Sequence, residues 1–147
     1  MHAFEVTVFI KLPQQEIFAF TSNPDNDRLW IKDLVSSEWI SPDPVGVGSA
    51  KRAVSKFLGR NTSVTVEYTI WDPPNMYRVN FDFGPFSLQG TTKFEPQENG
   101  TRVTLTGQVK APGILKLVEG TLAKQAKAQD GKNLETLKRI MEAHELN

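Results

Sequence analysis

The 147-residue sequence predicts an α+β fold: a curved antiparallel sheet of about seven strands, in the order β-α-α-β6-α, wrapped around a long C-terminal helix. Three observations predict it. Between about residues 35 and 110, apolar and polar residues alternate in several stretches, the period of half-buried strands. Those stretches are separated by turn chemistry short enough for hairpins. After Pro112-Gly113 the alternation gives way to helical spacing that runs to residue 145. A one-faced antiparallel sheet must cover its dry face, and only that last helix is long enough to do it.

The first strand spans 4–10, with Phe4, Val6, Val8 and Ile10 in phase. Pro13 opens a short helix that turns Ile17, Phe18 and Phe20 inward. Asn23-Pro24 starts a second: Asn caps free amides and Pro is preset for the first turn. That helix carries Leu29 and Trp30. Strands then follow over Val35–Ile40, Ser49–Phe57 and the run Val64, Val66, Tyr68, Ile70, which closes at the turn Asp72-Pro73-Pro74-Asn75. Tyr77, Val79, Phe81 and Phe83 form the next. Gly84-Pro85 leads into Phe86–Glu95, and Glu98-Asn99-Gly100 into Thr101–Lys110. Over 114–145, Leu115, Val118, Leu122, Leu134, Leu137, Ile140 and Met141 form a stripe, which Gly120 and Gly131 weaken locally, each a candidate place for a kink or break.

Composition narrows the function classes. One domain, 1–147, is expected at this length. There is no Cys, which excludes a disulfide scaffold and any Cys-ligated metal. Seventeen Lys+Arg balance seventeen Asp+Glu, so no global field gathers nucleic acid or an anionic surface. No apolar run approaches the length of a membrane span, and the N-terminus lacks the pattern of a signal peptide. The default expectation is a cytoplasmic protein with neither nucleic acid nor membrane insertion among its partners. The oligomeric state is left open.

The order of these landmarks resembles the START-like (helix-grip) superfamily, in particular its SRPBCC, polyketide cyclase/dehydrase-like branch. The residues that carry the resemblance run along nearly the whole chain. They are Leu12-Pro13-Gln14-Gln15-Glu16-Ile17-Phe18, Asn23-Pro24-Asp25 with Trp30, Gly46-Val47-Gly48-Ser49, Asp72-Pro73-Pro74, Phe94-Glu95-Pro96, Asn99-Gly100-Thr101-Arg102-Val103 and Leu134-Glu135-Thr136-Leu137-Lys138. These are turns, caps and core anchors, and a fold alone does not convey chemistry. The resemblance does imply a cavity between sheet and long helix, generally used for apolar small molecules.

The residues themselves bear on that cavity. Between Leu122 and Leu134 the sheet-facing stripe passes through Ala126 and Gln129 or Asp130, with no large apolar side chain. Small side chains over a concave sheet leave volume unfilled, whereas a plain core would place Leu or Phe there. The alternative is a solvated mid-helix whose alanines serve propensity. On the sheet, Val64, Val66, Tyr68, Ile70, Tyr77, Val79, Phe81, Phe83, Leu88, Thr92, Val103 and Leu105 share the dry face. Tyr68 and Tyr77 are informative, because a buried hydroxyl needs a partner. Gly90 and Gly107, in phase with them, mark bends or close approach. Arg52, in phase with Ala50 and Val54, is a candidate to reach inward and anchor a keto or carboxylate group. The opposite phase, Lys51-Ala53-Ser55-Phe57, fits nearly as well. The candidate binding residues are therefore Trp30, Arg52, Val66, Tyr68, Tyr77, Val79, Phe81, Leu88, Leu105, Val118, Leu122 and Ala126.

Conventional catalytic sets are sparse. The two histidines, His2 and His144, lie at opposite ends, so a His-based triad or metal site would need a frayed terminus in a pocket. Gly46-Val47-Gly48 lacks the third glycine and following helix of a phosphate loop. Glu5, Glu67 and Asp82 fall on the wet phase of their strands, and Asp25, Asp27 and Asp33 read as caps and solvated surface. Lys124, Lys127 and Lys132 alternate with Glu119, Asp130, Glu135, Glu142 and Glu145, the pattern of a solvated helix face. No catalytic residue, cofactor or metal is assigned. The expected function is binding of a small, largely hydrophobic, lipid- or polyketide-like molecule in an internal cavity. One alternative is a polyketide cyclase/aromatase-like enzyme that acts mainly by shaping its substrate. Another is an interaction module with a vestigial cavity.

Overall fold

The computed structural model describes residues 1–145, the last by its backbone alone. β1 (His2–Ile10) is followed by α1 (Gln14–Thr21), a 3-10 turn (Pro24–Asn26) and α2 (Asp27–Trp30). Then come β2 (Leu34–Trp39), β3 (Ala50–Phe57), β4 (Arg60–Asp72), β5 (Met76–Phe83), β6 (Phe86–Gln97) and β7 (Gly100–Lys110). A 3-10 segment (Gly113–Val118) leads into α3 (Glu119–Glu145). The seven strands form one antiparallel sheet in the order β1-β7-β6-β5-β4-β3-β2. Successive hairpins build it from β2 to β7, and β1 closes it beside β7. This is the helix-grip arrangement that the alternating patterns predict.

Local chemistry sets the element ends. Asn23 Oδ1 accepts the amide of Asp25 at 3.0 Å, the capping role that Asn before Pro predicts. α3 crosses the sheet against β1 and β7. Its C-terminal half is packed: Leu134, Leu137 and Met141 meet Val8, Ile10, Phe94 and Val103. Phe18 of α1 plugs the same end, with its ring edge-on to Trp71, Tyr77 and Phe94 at centroid distances of 5.3, 5.6 and 5.4 Å.

Three expectations are corrected, and one left open is decided. β4 carries a bulge between Tyr68 and Ile70, so the strict alternation breaks. One extra residue reverses the facing of the rest of the strand, and Trp71, not Ile70, packs on the core. Residues 113–118 coil as a 3-10 helix, whose three-residue turn loses the phase of an α-helical stripe. Val118 is consequently 41% exposed. Within α3 the inward stripe runs Ala123, Ala126, Asp130, Leu134, Leu137, Met141, which leaves Leu122 on its half-buried flank. Finally, α3 continues unbroken through Gly131, and Gly120 lies in its first turn. An added Cβ at Gly120 would stand 3.2 Å from His2 Nε2, so the absence of a side chain lets β1 approach the helix start.

Candidate functional site

Where the large α3 side chains stop, the interior is open. A cavity of about 450 Å³ lies between the sheet and the N-terminal half of α3. Ala126, Gln129, Asp130 and Asn133 form its helical wall. β3 to β5 supply Ala53, Ser55, Val64, Val66, Tyr68, Tyr77, Val79 and Phe81, and β6 and β7 supply Leu88, Thr92 and Leu105. Phe57 and Phe83, edge-on at 5.2 Å, stand together at the ends of β3 and β5. The volume falls in the range of small-molecule sites, which are concave and mostly apolar with a few placed polar groups.

Strand register explains why the floor is open. Tyr68, Val79, Gly90, Gly107 and Phe4 are successive cross-strand partners. Two neighbouring glycines in this row remove the side chains that would otherwise rise towards α3. At Gly107 the absence makes room for the Phe4 ring, since a Cβ would lie 2.2 Å from Phe4 Cζ. At Gly90 a Cβ would meet only Val79, at 3.7 Å.

The cavity has one strongly polar wall. Asp27, at the start of α2, is 1% exposed, and its Oδ2 accepts from Lys51 Nζ at 2.8 Å and from Ser37 Oγ at 2.7 Å. Lys51 Nζ also stands 5.6 Å from the centroid of the Tyr68 ring, a cation–π distance. Asp27 Oδ1 and Trp30 Nε1 are buried with no hydrogen-bond partner among the described residues. Tyr68 and Tyr77 pack edge to face at 5.5 Å. Burial, reinforced by the Asp27 charge, pushes the Tyr68 phenol well above its ordinary range. Burial does the same to Tyr77, helped by Tyr68 and Asp27 and opposed by Thr21 and Lys51. Both phenols are therefore neutral at any physiological pH and can donate a hydrogen bond.

A second polar group sits on the helix. Burial alone pushes the Asp130 carboxyl up from 3.8 to about 6. Asn133 Oδ1 accepts from Gln129 Nε2 at 2.9 Å and from the Lys32 amide at 3.2 Å, which ties α3 to the loop after α2.

Of the predicted residues, Trp30, Val66, Tyr68, Tyr77, Val79, Phe81, Leu88, Leu105 and Ala126 line this cavity. Arg52, Val118 and Leu122 do not. Arg52 is exposed on the outer face of β3, and the opposite phase, Lys51 with Ala53, Ser55 and Phe57, faces inward. A tertiary partner decides this: turned in, Lys51 meets Asp27. The expectation that Asp27 is solvated surface fails for the same reason. Glu119 and Asp130 likewise do not belong to a solvated face, Asp130 because it is in the cavity wall. Glu119 is 1% exposed and accepts from the Ala111 amide at 2.6 Å, the N-terminal ammonium at 2.7 Å and His2 Nδ1 at 3.2 Å. His2 is thus anchored in β1 rather than frayed, and it lies outside the cavity lining. The Glu145 side chain lies outside the described residues. Lys51 and Asp27 are the functional candidates that sequence reasoning misses. The small residues Ala53 and Ser55, beside Lys51 in phase, are the available signal.

The family model described as polyketide cyclase/dehydrase and lipid transport matches residues 1–142. Among solved structures, the di-domain ARO/CYC protein StfQ from the steffimycin biosynthetic pathway aligns with a TM-score of 0.82 at 12% identity, over 99% of this chain and 52% of that one. The di-domain ARO/CYC protein BexL from the BE-7585A pathway aligns at 0.79 and 16% identity, over 95% of this chain and 46% of its own. TTHA0849 from Thermus thermophilus aligns at 0.76 and 20% identity, over 94% and 95% of the two chains. Against either di-domain protein this chain spans about half the length. At such identities the likeness is one of fold. No curated protein matches the sequence.

Proposed function

The chain belongs to the polyketide cyclase/dehydrase and lipid transport family, and from that premise we propose that it binds a small, largely apolar molecule inside its cavity. The observation that carries this reading is the 450 Å³ of open interior under Ala126, opposite the paired glycines. A concave recess of this size, mostly apolar with a few placed polar groups, has the usual form of a small-molecule site. A filled interior would instead favour an interaction module. The test has two parts. Native mass spectrometry of the protein purified from its own host should retain a small-molecule adduct. The folded protein should also bind an apolar fluorescent probe saturably, with displacement by a fatty acid or a flat aromatic compound. No adduct and no saturable binding below millimolar probe would overturn the reading.

A second reading, a cyclase-like enzyme, draws on one observation: the Tyr68 and Tyr77 rings lie side by side with Lys51 at the same wall. Neutral phenols and an ammonium group can polarise carbonyls of a reactive chain held in a folded conformation. This reading expects faster, regioselective cyclisation of a synthetic poly-β-ketone ester in the presence of the protein. It also expects that rate to fall in Tyr77→Phe while the probe still binds.

A further inference from the structure

Resting on the binding reading above, the geometry points to a ligand class: an apolar scaffold bearing a basic amino group, with Asp130 as its counter-ion. Asp130 stands on the inward stripe of α3, between Ala126 and Leu134, and belongs to the cavity wall. It lies mid-helix, so it caps no terminus. The residue is half-buried, not sealed. The unpartnered polar atoms closed to solvent among the described residues are Asp27 Oδ1 and Trp30 Nε1, so the Asp130 oxygens remain reachable from the cavity. Burial alone acts on this carboxyl, with no hydrogen bond and no neighbouring charge set against it.

The elements packed on α3 bring nothing to match it. β1 and β7 present Phe4, Leu105, Gly107 and Gln108 to the cavity, and the 3-10 segment ahead of α3 presents no lining residue. α2 presents Trp30 and Asp27, the latter already paired with Lys51. On α3 itself Lys127, three positions earlier, is exposed. Lys32, Asp33 and Lys56 are exposed on the cavity rim, where water and salt screen them. Since Asp27 and Lys51 cancel, ionised Asp130 leaves the interior wall with one negative charge in excess.

A carboxylate accepts hydrogen bonds and gives none, so the group that completes this wall must donate. An ammonium supplies the donor and the missing charge together, the stronger kind of hydrogen bond. A hydrocarbon laid over Asp130 strips its water and returns nothing, which pushes the carboxyl towards its neutral form. A ligand carboxylate adds like charge to the same wall. Three ligand families are thereby ranked: amine-bearing first, plain hydrocarbon second, carboxylated last.

The test uses the full-length protein and three compounds of similar shape, 2-(aminomethyl)naphthalene, 2-ethylnaphthalene and 2-naphthoate, each competed against an uncharged apolar fluorescent probe. Water-to-oil transfer alone favours the ethyl compound. At pH 7.5 the expected order is the amine tightest and 2-naphthoate weakest. The ratio of amine to ethyl affinity should then fall roughly tenfold in Asp130→Asn, as for a hydrogen bond to a charged group. Because the ratio compares two ligands in one protein, any general change in the cavity cancels. In the parent chain the same ratio should fall between pH 7.5 and 5, as Asp130 takes up its proton near 6 while the amine stays charged. A tighter ethyl compound or naphthoate at pH 7.5, or a ratio that ignores pH, overturns the proposal. An amine preference that persists in the folded variant assigns the amine to another carboxylate, such as Asp33 on the rim, and refutes it equally. Should the variant not fold, as judged by circular dichroism, the pH series of the parent chain decides alone. If the probe itself fails to bind, the cavity reading falls, and this inference with it; the two failures are thus told apart.

Discussion

Ala126→Phe tests the cavity directly, because Ala126 is half-buried on the helical wall facing the open floor. In the cavity of about 450 Å³ a phenyl ring enters existing space and displaces no packed side chain. Burying it contributes roughly 1.5–3 kcal/mol. Exchanging Ala for Phe inside a helix costs about 0.5 kcal/mol in propensity. The net expectation is a gain of about 1–2.5 kcal/mol, which at this chain length raises the melting temperature by roughly 3–8 °C. The ring takes the ligand's volume, so affinity for an apolar fluorescent probe should drop at least tenfold. Thermal melts monitored by circular dichroism and a probe titration measure both quantities on one sample. A variant destabilised by about 1–3 kcal/mol would mean overpacking of a closed interior. Unchanged values of both would put position 126 in solvent. A higher melting temperature with unaltered probe affinity would place the ligand elsewhere. Each of these outcomes refutes the reasoning.

Three further tests concern the cavity wall and the start of α3. Asp130 holds its proton up to about 6 in the folded chain against 3.8 ordinarily, so its contribution makes stability fall as pH rises between those values; urea unfolding of Asp130→Asn across that window should show this decline removed. Glu119 has the opposite sign: the N-terminal ammonium first, then the Ala111 amide and His2, lower its carboxyl from 4.5 to about 2. Its stabilisation is complete above 4.5 and lost towards pH 2, so Glu119→Gln should melt earlier at neutral pH and show a shallower acid limb in the same series. Gly107→Ala forces the Phe4 ring off the floor and into the cavity; it should cost about 1 kcal/mol by overpacking and weaken probe binding, and Phe4→Leu in the same chain should restore stability.

The strands are legible because each is read from a local period, and the sheet needs only their order and short turns. Errors arise wherever phase has to be carried past a local irregularity. Extending an α-helical stripe through residues that coil as a 3-10 helix misplaces Val118, and extending alternation across a bulge misplaces Ile70. Neither feature has a signature in a run of apolar residues, since each is set by how the backbone must bend to keep the sheet and helix in contact.

The cavity and its polar wall differ in the same way. Empty volume is written locally on the helix, where Ala126 is a small residue on a stripe that a closed core fills with large ones, whereas Gly90 and Gly107 read from sequence as bends or close approach and only their pairing shows that they clear the floor. Polarity at the wall depends on a pair 24 residues apart. Taken alone, Asp27 sits in the polar run Asn23-Pro24-Asp25-Asn26-Asp27, and Lys51 sits in a strand whose two phases are almost equally apolar. Burying either charge by itself would be prohibitive, so a reading that takes residues one at a time sends both to the surface and turns Arg52 inward. Burying them together removes most of that penalty, and Ser37 supplies a further hydrogen bond. The phase of β3 is thus decided by a partner in α2. If so, removing Asp27 alone should harm the fold more than removing both charges. Asp27→Leu leaves an unmatched ammonium in an apolar wall and is expected to cost about 3–5 kcal/mol, whereas the double variant with Lys51→Met stays within about 1 kcal/mol of the parent. Urea unfolding of the two variants side by side measures the difference. Equal destabilisation would mean that the pair does not set the strand's facing.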